Sequence, residues 1–446
     1  MKYVIIGGVA AGMSAASKIR RSQFDAEVIV YEMGNTLSYG ACGMPYFISD
    51  VIEDENKLIA RTKEEFESMG IICKMRHQVL KVIPQEKTIH IKNLETNEMI
   101  KDQYDKLLIA TGANSIVFPW PNKELEHIVT LKTLNDAVYI KEIVSKPEIK
   151  NVIIIGAGFI GVEMVEAMIE LKKQVTLIEL QNQILPLFDK EITQSLEQEL
   201  KDKGADLRLG EKVIRFEGQK KVEAIITDKN YYKADIVLVA VGVKPNVDFI
   251  EGSGIHQIKN GAIIVDEEMK TNVKDIYAAG DVATVTHLVH NSNHFHIPLG
   301  TNANKQGRIA GENMIGVKSR FPGALGTTVI KVCDLEAAKT GISEKEAIFH
   351  QYDFKTAIVK ANNHASYYPN PEPMVIKVIY NPKSLLLYGA QIVGKKEAAI
   401  RINMFALAIH NKMTTDELGL VDFAYAPPFA GVWDAVHIAA NQAKRS

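Results

Sequence analysis

The chain opens on a short apolar run, Tyr3 to Ile6, that leads directly into Gly7-Gly8-Val9-Ala10-Ala11-Gly12. Beyond the glycines the apolar positions take helical spacing as far as Arg21, and a second apolar run from Glu27 to Tyr31 ends at Glu32. Continuous apolar runs of this length read as strands buried on both faces, so the predicted order is strand, helix, strand of a parallel unit. The same order returns at VIIIGAGFIG, residues 152 to 161, with a helix-like run to Lys172 and a strand from Val175 to Ile178 that ends at Glu179. The predicted fold class is therefore α/β, with two Rossmann-like units in one chain.

The glycines have a physical reason. A dinucleotide pyrophosphate is held by backbone N–H groups at a helix N-terminus, and a side chain on the turn would block its approach. Glu32 follows Gly12 by 20 positions, where a carboxylate can hold a ribose hydroxyl, although Val9 stands at the central glycine position. The second unit has Gly156, Gly158 and Gly161 all in place. Either motif alone could be the glycine turn of any α/β protein, but two of them imply two nucleotides and electron transfer between cofactors. Three further segments fit: LLIATGAN at 107 to 114, with the small turn Ala110-Thr111-Gly112, VLVAVGVKPN at 237 to 246, and TNVKDIYAAGDVA at 271 to 283. In the last, the Asp281 carboxylate can accept hydrogen bonds from flavin ribityl hydroxyls, or act as a helix N-cap.

Composition narrows the setting. A chain of 446 residues makes about three domains. Its 52 basic and 54 acidic residues give a net charge of -2, which supplies no attraction for nucleic acid or an anionic membrane. The glycine spacing explains the apolar start better than a signal peptide does, and no long apolar stretch predicts a membrane span. Three cysteines form no disulfide framework and suit a reducing, cytoplasmic setting. Cys73 and Cys333 read as core thiols. Cys42, in SYGACGMPYF, is either a small buried hydrophobe or a redox thiol. The run HLVHNSNHFH, in an expected loop, lacks a regular zinc pattern, and no metal is assigned to it. Met404 and Phe405 are expected to pack a dimer interface.

These motifs, in this order, resemble the pyridine nucleotide-disulfide oxidoreductase superfamily. The resemblance implies an FAD domain of residues 1–113 and 247–322, an NAD(P)H domain of residues 114–246, and a C-terminal α+β dimerisation domain of residues 323–446. It places FAD against Gly7, Ala10, Ala11, Gly12, Glu32, Met33, Val79, Ala110, Thr111, Gly112, Gly280, Asp281 and Pro298. It places the nicotinamide dinucleotide against Gly156, Gly158, Phe159, Ile160, Gly161, Glu179 and Gly242. Dithiol members carry CxxxxC, but the residue five after Cys42 is Phe47, which indicates the single-cysteine branch. Oxidases and peroxidases of that branch place a histidine in the first glycine loop, where this chain has Ala10 and Ala11.

The segments NHASYYPNPEP, residues 363 to 373, and AYAPPF, residues 424 to 429, are similar to the tyrosine-bearing segments of coenzyme A-disulfide reductases. In that group two tyrosines of the partner subunit of a homodimer reach the cysteine. They map onto Tyr425 and onto Tyr367, with the adjacent Tyr368 as a rival. The resemblance implies a Cys42–coenzyme A mixed disulfide, with substrate contacts at Ser14, Lys18, Arg21, Ser38, Ala41 and Arg61. Ala41 departs from the polar residue usual there, and each basic residue could instead line a solvated face. An oxygen-reducing NADH oxidase and a persulfide or polysulfide reductase are the alternatives. The added rhodanese domain frequent in persulfide reductases is not expected here. Glu179, followed by Leu180, Gln181, Asn182 and Gln183 without a cation, favours NADH and leaves NADPH possible.

Overall fold

The computed structural model describes residues 1–444. The chain divides into two compact units, one of residues 1–116, 132–138 and 243–324, the other of residues 117–131, 139–242 and 325 onward. The second unit thus holds both the Gly156 fingerprint and the C-terminal sheet.

In the first unit a five-stranded parallel sheet runs in the order Ile276–Ala278, Lys106–Ile109, Lys2–Ile6, Glu27–Tyr31, Ile72–Lys74. Val4, Ile5, Val28, Val30, Leu107 and Leu108 are fully buried, as the continuous apolar runs predict. The first unit also carries a small antiparallel sheet of His77–Ile83, Thr88–Asn93 and Met99–Gln103. The second unit repeats the parallel design in the order Asp206–Leu209, Gln174–Glu179, Asn151–Ile155, Ile236–Val239, Ile128–Val129. In both sheets the strand order reverses beside the glycine-loop strand, which opens a crevice at its carboxyl end. A five-stranded antiparallel sheet completes the second unit, in the order Thr328–Val332, Leu335–Gly341, Leu387–Gly394, Pro373–Tyr380, Lys355–Asn362.

Three expectations are corrected. Phe405 is fully buried in the core of its own chain, while Ile400, Leu407, Leu420, Phe429, Val432 and Trp433 are among the exposed apolar residues of this region. The histidine run is a short hairpin, Val285–His287 with Ser292–Phe295, in which the His287 and His290 rings pack together and against Phe295. Cys333 lies at the hairpin turn between two strands, with φ of 53°, so a half-buried turn replaces the expected core position. Cys73 is buried as expected.

The helix Ala10–Ser22, which follows the first glycine loop, packs closely on the helix Gly300–Met314. Small residues permit this: a Cβ at Gly307 would lie 2.1 Å from the Ala11 carbonyl oxygen, and one at Gly311 would lie 2.9 Å from that of Ala15. A clash with backbone cannot be relieved by a rotamer change, so the helices would have to separate. We expect Gly307→Ala to destabilise the first unit by about 2 kcal/mol and to reduce the flavin retained on purification. Thermal unfolding and the flavin-to-protein absorbance ratio check this.

Candidate active site

The two glycine loops are built alike. Gly7 and Gly156 have φ of 102° and 99°, and a Cβ on either would strike the carbonyl oxygen of Ala110 or Ala240 at 2.3 or 2.5 Å. At Gly12 and Gly161 a Cβ would overlap the carbonyl oxygens of Gly7 and Gly156, at 1.8 and 1.9 Å, because there the helix crosses its own strand–turn. Glu32 accepts hydrogen bonds from the Gly8 N–H at 2.7 Å and the Gly34 N–H at 2.7 Å. Glu179 does the same with the N–H groups of Ala157 at 2.7 Å and Gln181 at 2.8 Å. Each carboxylate thus stays fixed at a strand end with lone pairs left for a ribose.

The helices behind these loops begin without side-chain caps. Val9 and Gly158 are the N-cap residues, neither makes a capping bond, and neither first turn holds an acidic residue. Helices beginning after Thr62, Ser343 and Thr414 all have full capping boxes. Free amides at two helix N-termini fit two pyrophosphates. No atom lies within 4 Å of where a Gly158 side chain would be, whereas Val9 stands at the equivalent point of the first loop. Phe159 and Ile160 form the first turn of the second helix, and Gly242 has φ of 114°.

The other expected flavin contacts lie in the same unit as Gly7. Thr111 donates to the Asn246 carbonyl at 2.7 Å, and Gly112 has φ of 65° with open space around it. Val79 is buried in its strand, and Met33 is exposed beside Glu32. Asp281 lies in a turn beyond the strand Ile276–Ala278, so the helix N-cap alternative is excluded. Its carboxylate pairs with Lys132 at 3.4 Å, and its carbonyl meets His296 at 2.8 Å. Pro298 precedes the helix Gly300–Met314, which also begins uncapped.

Cys42 is exposed, in the 3-10 turn Ala41–Gly43 that continues into the short helix Met44–Ile48, so it is not a buried hydrophobe. Its loop hangs on the first glycine loop: the Ser38 N–H donates to the Gly8 carbonyl at 3.0 Å, and a Cβ at Gly8 would meet Leu37 at 2.3 Å. The far side is stitched by Ala60 N–H to Ser38 O at 2.8 Å and Gly40 N–H to Leu58 O at 2.8 Å. Burial pushes the Cys73 thiol up to about 11 and, with Glu166 adding to it, the Cys333 thiol up to about 12. Both stay protonated, which leaves Cys42 as the exposed thiol.

The tail tyrosines are in the second unit. The hydroxyls of Tyr367 and Tyr425 are 2.5 Å apart and both side chains are exposed, while the Tyr368 ring turns edge-on to His364 at 5.4 Å. The hydrogen bond from Tyr425 raises the Tyr367 phenol above its ordinary value.

The expected substrate residues are only partly available. Ser14 donates to Asn304 at 2.6 Å, and Lys18 pairs with Glu312 at 3.0 Å. Arg21 is exposed and bonds the Ser17 carbonyl at 3.0 Å, and Arg61 lies over the Phe66 ring at 5.4 Å. The neighbouring Arg20 serves the fold, bonding the Met69 carbonyl at 2.7 Å.

Two groups carry no motif. Lys132, the cation beside Asp281, comes from a segment remote in sequence. Glu163 lies on the second fingerprint helix, where burial pushes its carboxyl up to about 7, with Glu166 adding to it. A glutamate on a helix ordinarily reads as a solvated face, so only its packing reveals it.

Two dinucleotide cradles, an exposed thiol beside the first and phenols elsewhere in the chain define a flavin-dependent thiol–disulfide oxidoreductase. A family model described as pyridine nucleotide-disulphide oxidoreductase matches residues 1–307, and its dimerisation domain matches residues 327–436. The chain belongs to this family. It is 39% identical over 445 residues to an NAD(P)H sulfur oxidoreductase (CoA-dependent) of Pyrococcus furiosus, with 99% of each chain covered. It is 34% identical to an NADH oxidase of Enterococcus faecalis, with 99% of each chain covered. It is 32% identical to a coenzyme A disulfide reductase of Staphylococcus aureus, over 99% of this chain and 100% of that protein. The crystal structure of reduced Bacillus anthracis CoADR-RHD superposes with a TM-score of 0.96 at 34% identity, over 100% of this chain and 80% of that one. The protein is an NAD(P)H-dependent flavoprotein disulfide oxidoreductase that uses FAD. No helix among the described residues is long and apolar enough to cross a membrane.

Glu163 gives a pH prediction. Its folded-state value lies above its unfolded one, so the stability it contributes is full below about 4.5 and is lost as pH rises through about 7. Glu163→Gln removes that loss. Thermal melts should match the parent at pH 5 and exceed it at pH 8, by about 2 kcal/mol in unfolding free energy.

Proposed function

We propose that this protein reduces coenzyme A disulfide, or mixed disulfides of coenzyme A, to the thiol, through Cys42 cycling as a Cys42–coenzyme A mixed disulfide. The observation that carries this reading is the 2.5 Å contact between two exposed phenols, Tyr367 and Tyr425, in a chain whose single exposed thiol has no cysteine five residues on. The similarity to coenzyme A-dependent reductases supports it. In this reading residues 1–113 and 247–322 hold FAD, 114–246 hold the nicotinamide dinucleotide, and 323–446 form a homodimer in which each tail serves the partner's Cys42.

Bound flavin supplies a two-electron carrier between nicotinamide and sulfur. Gly7 to Gly12, Glu32, Thr111 and Asp281 hold it, and Glu179 holds the nicotinamide dinucleotide's ribose. With no cation from Leu180 to Gln183, Glu179 repels a 2′-phosphate and NADH is preferred. The Cys42 thiolate attacks one sulfur of coenzyme A disulfide. The substrate S–S bond breaks, one coenzyme A leaves as thiolate, and the other stays bonded to Cys42. The leaving thiolate takes a proton from the Tyr367–Tyr425 pair, whose mutual hydrogen bond keeps Tyr367 protonated. Two electrons and a proton then cleave the mixed disulfide, which releases the second thiol and restores the Cys42 thiolate. No second cysteine is needed at any step.

A coenzyme A persulfide is the second reading, favoured by the 37% identity over 445 residues to an NAD(P)H coenzyme A polysulfide/persulfide reductase of Pyrococcus horikoshii. There Cys42 takes up the coenzyme A sulfur, and hydrogen sulfide leaves in place of the first thiol. Against oxygen as the acceptor stand Ala10 and Ala11, which cannot donate a hydrogen bond to a sulfenic acid as a histidine does.

Cys42→Ser should keep its FAD, because the glycine loop and Glu32 do not depend on the thiol, and lose disulfide reduction by at least about a thousandfold. Mass spectrometry of unreduced parent should show one coenzyme A on Cys42. Full turnover in the variant, or a bare sulfenic acid in the parent, would refute the mechanism. Assayed sulfide release from coenzyme A persulfide, faster than disulfide reduction, would favour the second reading.

Tyr425→Phe should slow thiol release roughly tenfold, since Tyr367 remains, and leave flavin reduction by NADH unchanged. Stopped-flow spectra separate the two steps.

A further inference from the structure

The loop between the strand Gln174–Glu179 and the helix Lys190–Asp202 reads LQNQILPLFD, and it is bound to the second glycine loop. Ala157 is held from both sides: its N–H donates to Glu179 at 2.7 Å and its carbonyl accepts from the Leu185 N–H at 2.8 Å. Ile184, Leu185 and Phe188 are buried, and the Phe188 ring lies 6.2 Å from that of Phe159 on the first turn of the fingerprint helix. A shift of this loop therefore shifts the glycine turn and Glu179 with it.

The far end of the loop departs from local rules. Asp189 is the N-cap residue of the helix Lys190–Asp202, with φ of -77° and ψ of 155°, yet its carboxylate makes no capping bond. Forgoing that bond gives up helix stability. The side chain reaches the C-terminal sheet of the same unit. The Asp189 N–H donates to Gln391 Oε1 at 2.7 Å, and Gln391 Nε2 donates back to Asp189 Oδ2 at 2.7 Å. The same oxygen accepts from the Glu344 N–H at 3.1 Å and lies 3.2 Å from Lys377 Nζ. Lys377 also meets Glu344 at 2.5 Å and Glu191 at 3.1 Å. Lys377 is 1% exposed, Gln391 0% and Asp189 7%. Buried ion pairs add little net stability compared with apolar packing, so a buried network that also gives up a helix cap is better suited to fixing a position.

We infer that Lys377 and Gln391 are positioning residues for the nicotinamide dinucleotide: they anchor Asp189, and through it hold the 180–188 loop, Ala157 and Glu179 in the geometry that receives the adenosine ribose. The inference rests on assigning the Gly156 fingerprint to that cofactor. It makes the C-terminal sheet, remote in sequence, a determinant of NADH affinity.

Asp189→Ser removes the carboxylate that meets Gln391, Glu344 and Lys377, leaves only the main-chain bond to Gln391, and keeps a good N-cap, so the helix keeps its own stability. On the FAD-loaded enzyme, the dissociation constant for NAD+ measured by calorimetry should rise about tenfold. Amides of residues 180–188 should exchange hydrogen faster, and the KM for NADH should rise with kcat at saturation within twofold. FAD content should not change. Asp189→Asn, which keeps both bonds to Gln391, should restore most of the affinity. Lys377→Met leaves three carboxylates without their cation and can fail to fold, so the decision rests on the Asp189 variants. A folded Asp189→Ser that binds NAD+ like the parent overturns the inference. Glu179→Ala separates the two levels: unchanged NAD+ binding in that variant overturns the fingerprint assignment, and the inference with it.

Discussion

The structure depends on backbone amides left uncapped at two helix N-termini. A helix of 12 or 13 residues that opens without a side-chain partner for its first N–H groups forgoes stabilisation that other helices of this chain obtain from capping boxes. The arrangement makes sense where an anion completes the cap, and the surrounding features follow from that requirement. The turn must be tight, so Gly7 and Gly156 take positive φ against a facing carbonyl. The helix must cross its strand closely, so Gly12 and Gly161 lack a Cβ. The carboxylates of Glu32 and Glu179 tie each loop to its neighbouring strand from the side.

Beside the first of these loops the chain places one exposed thiol, Cys42. The same Gly8 whose N–H binds Glu32 offers its carbonyl to Ser38, so the cysteine-bearing loop is registered on the cofactor cradle through main chain. Main-chain registration does not depend on which side chains the loop carries. Cys73 and Cys333 are held protonated by burial and neighbouring carboxylates, which leaves Cys42 as the exposed thiol.

The polar networks of the second unit do a different task. Lys377 with three carboxylates, and Glu166 with Lys331 and the Cys333 amide, both join helices that flank the second parallel sheet to the antiparallel sheet. Their donors and acceptors have fixed directions, so they define relative position more sharply than apolar contacts do.

The sequence by itself determined the two strand–glycine–helix units, the acidic residues that end their second strands, and the single-cysteine character of the chain. Each is a local property: continuous apolar runs, glycines where no side chain fits, and a Phe at position 47. The tertiary structure alone decided what depends on distant residues. It turned Tyr367 rather than Tyr368 toward Tyr425, a choice between adjacent residues on opposite sides of a loop that no spacing rule can make. It buried Phe405, engaged Lys18 with Glu312, and raised the carboxyl of Glu163, because exposure and charge partners are set by which elements pack together. It directed Asp189 away from its own helix toward Gln391, two hundred and two residues on, since hydrogen-bond geometry in a folded core outweighs a local capping preference.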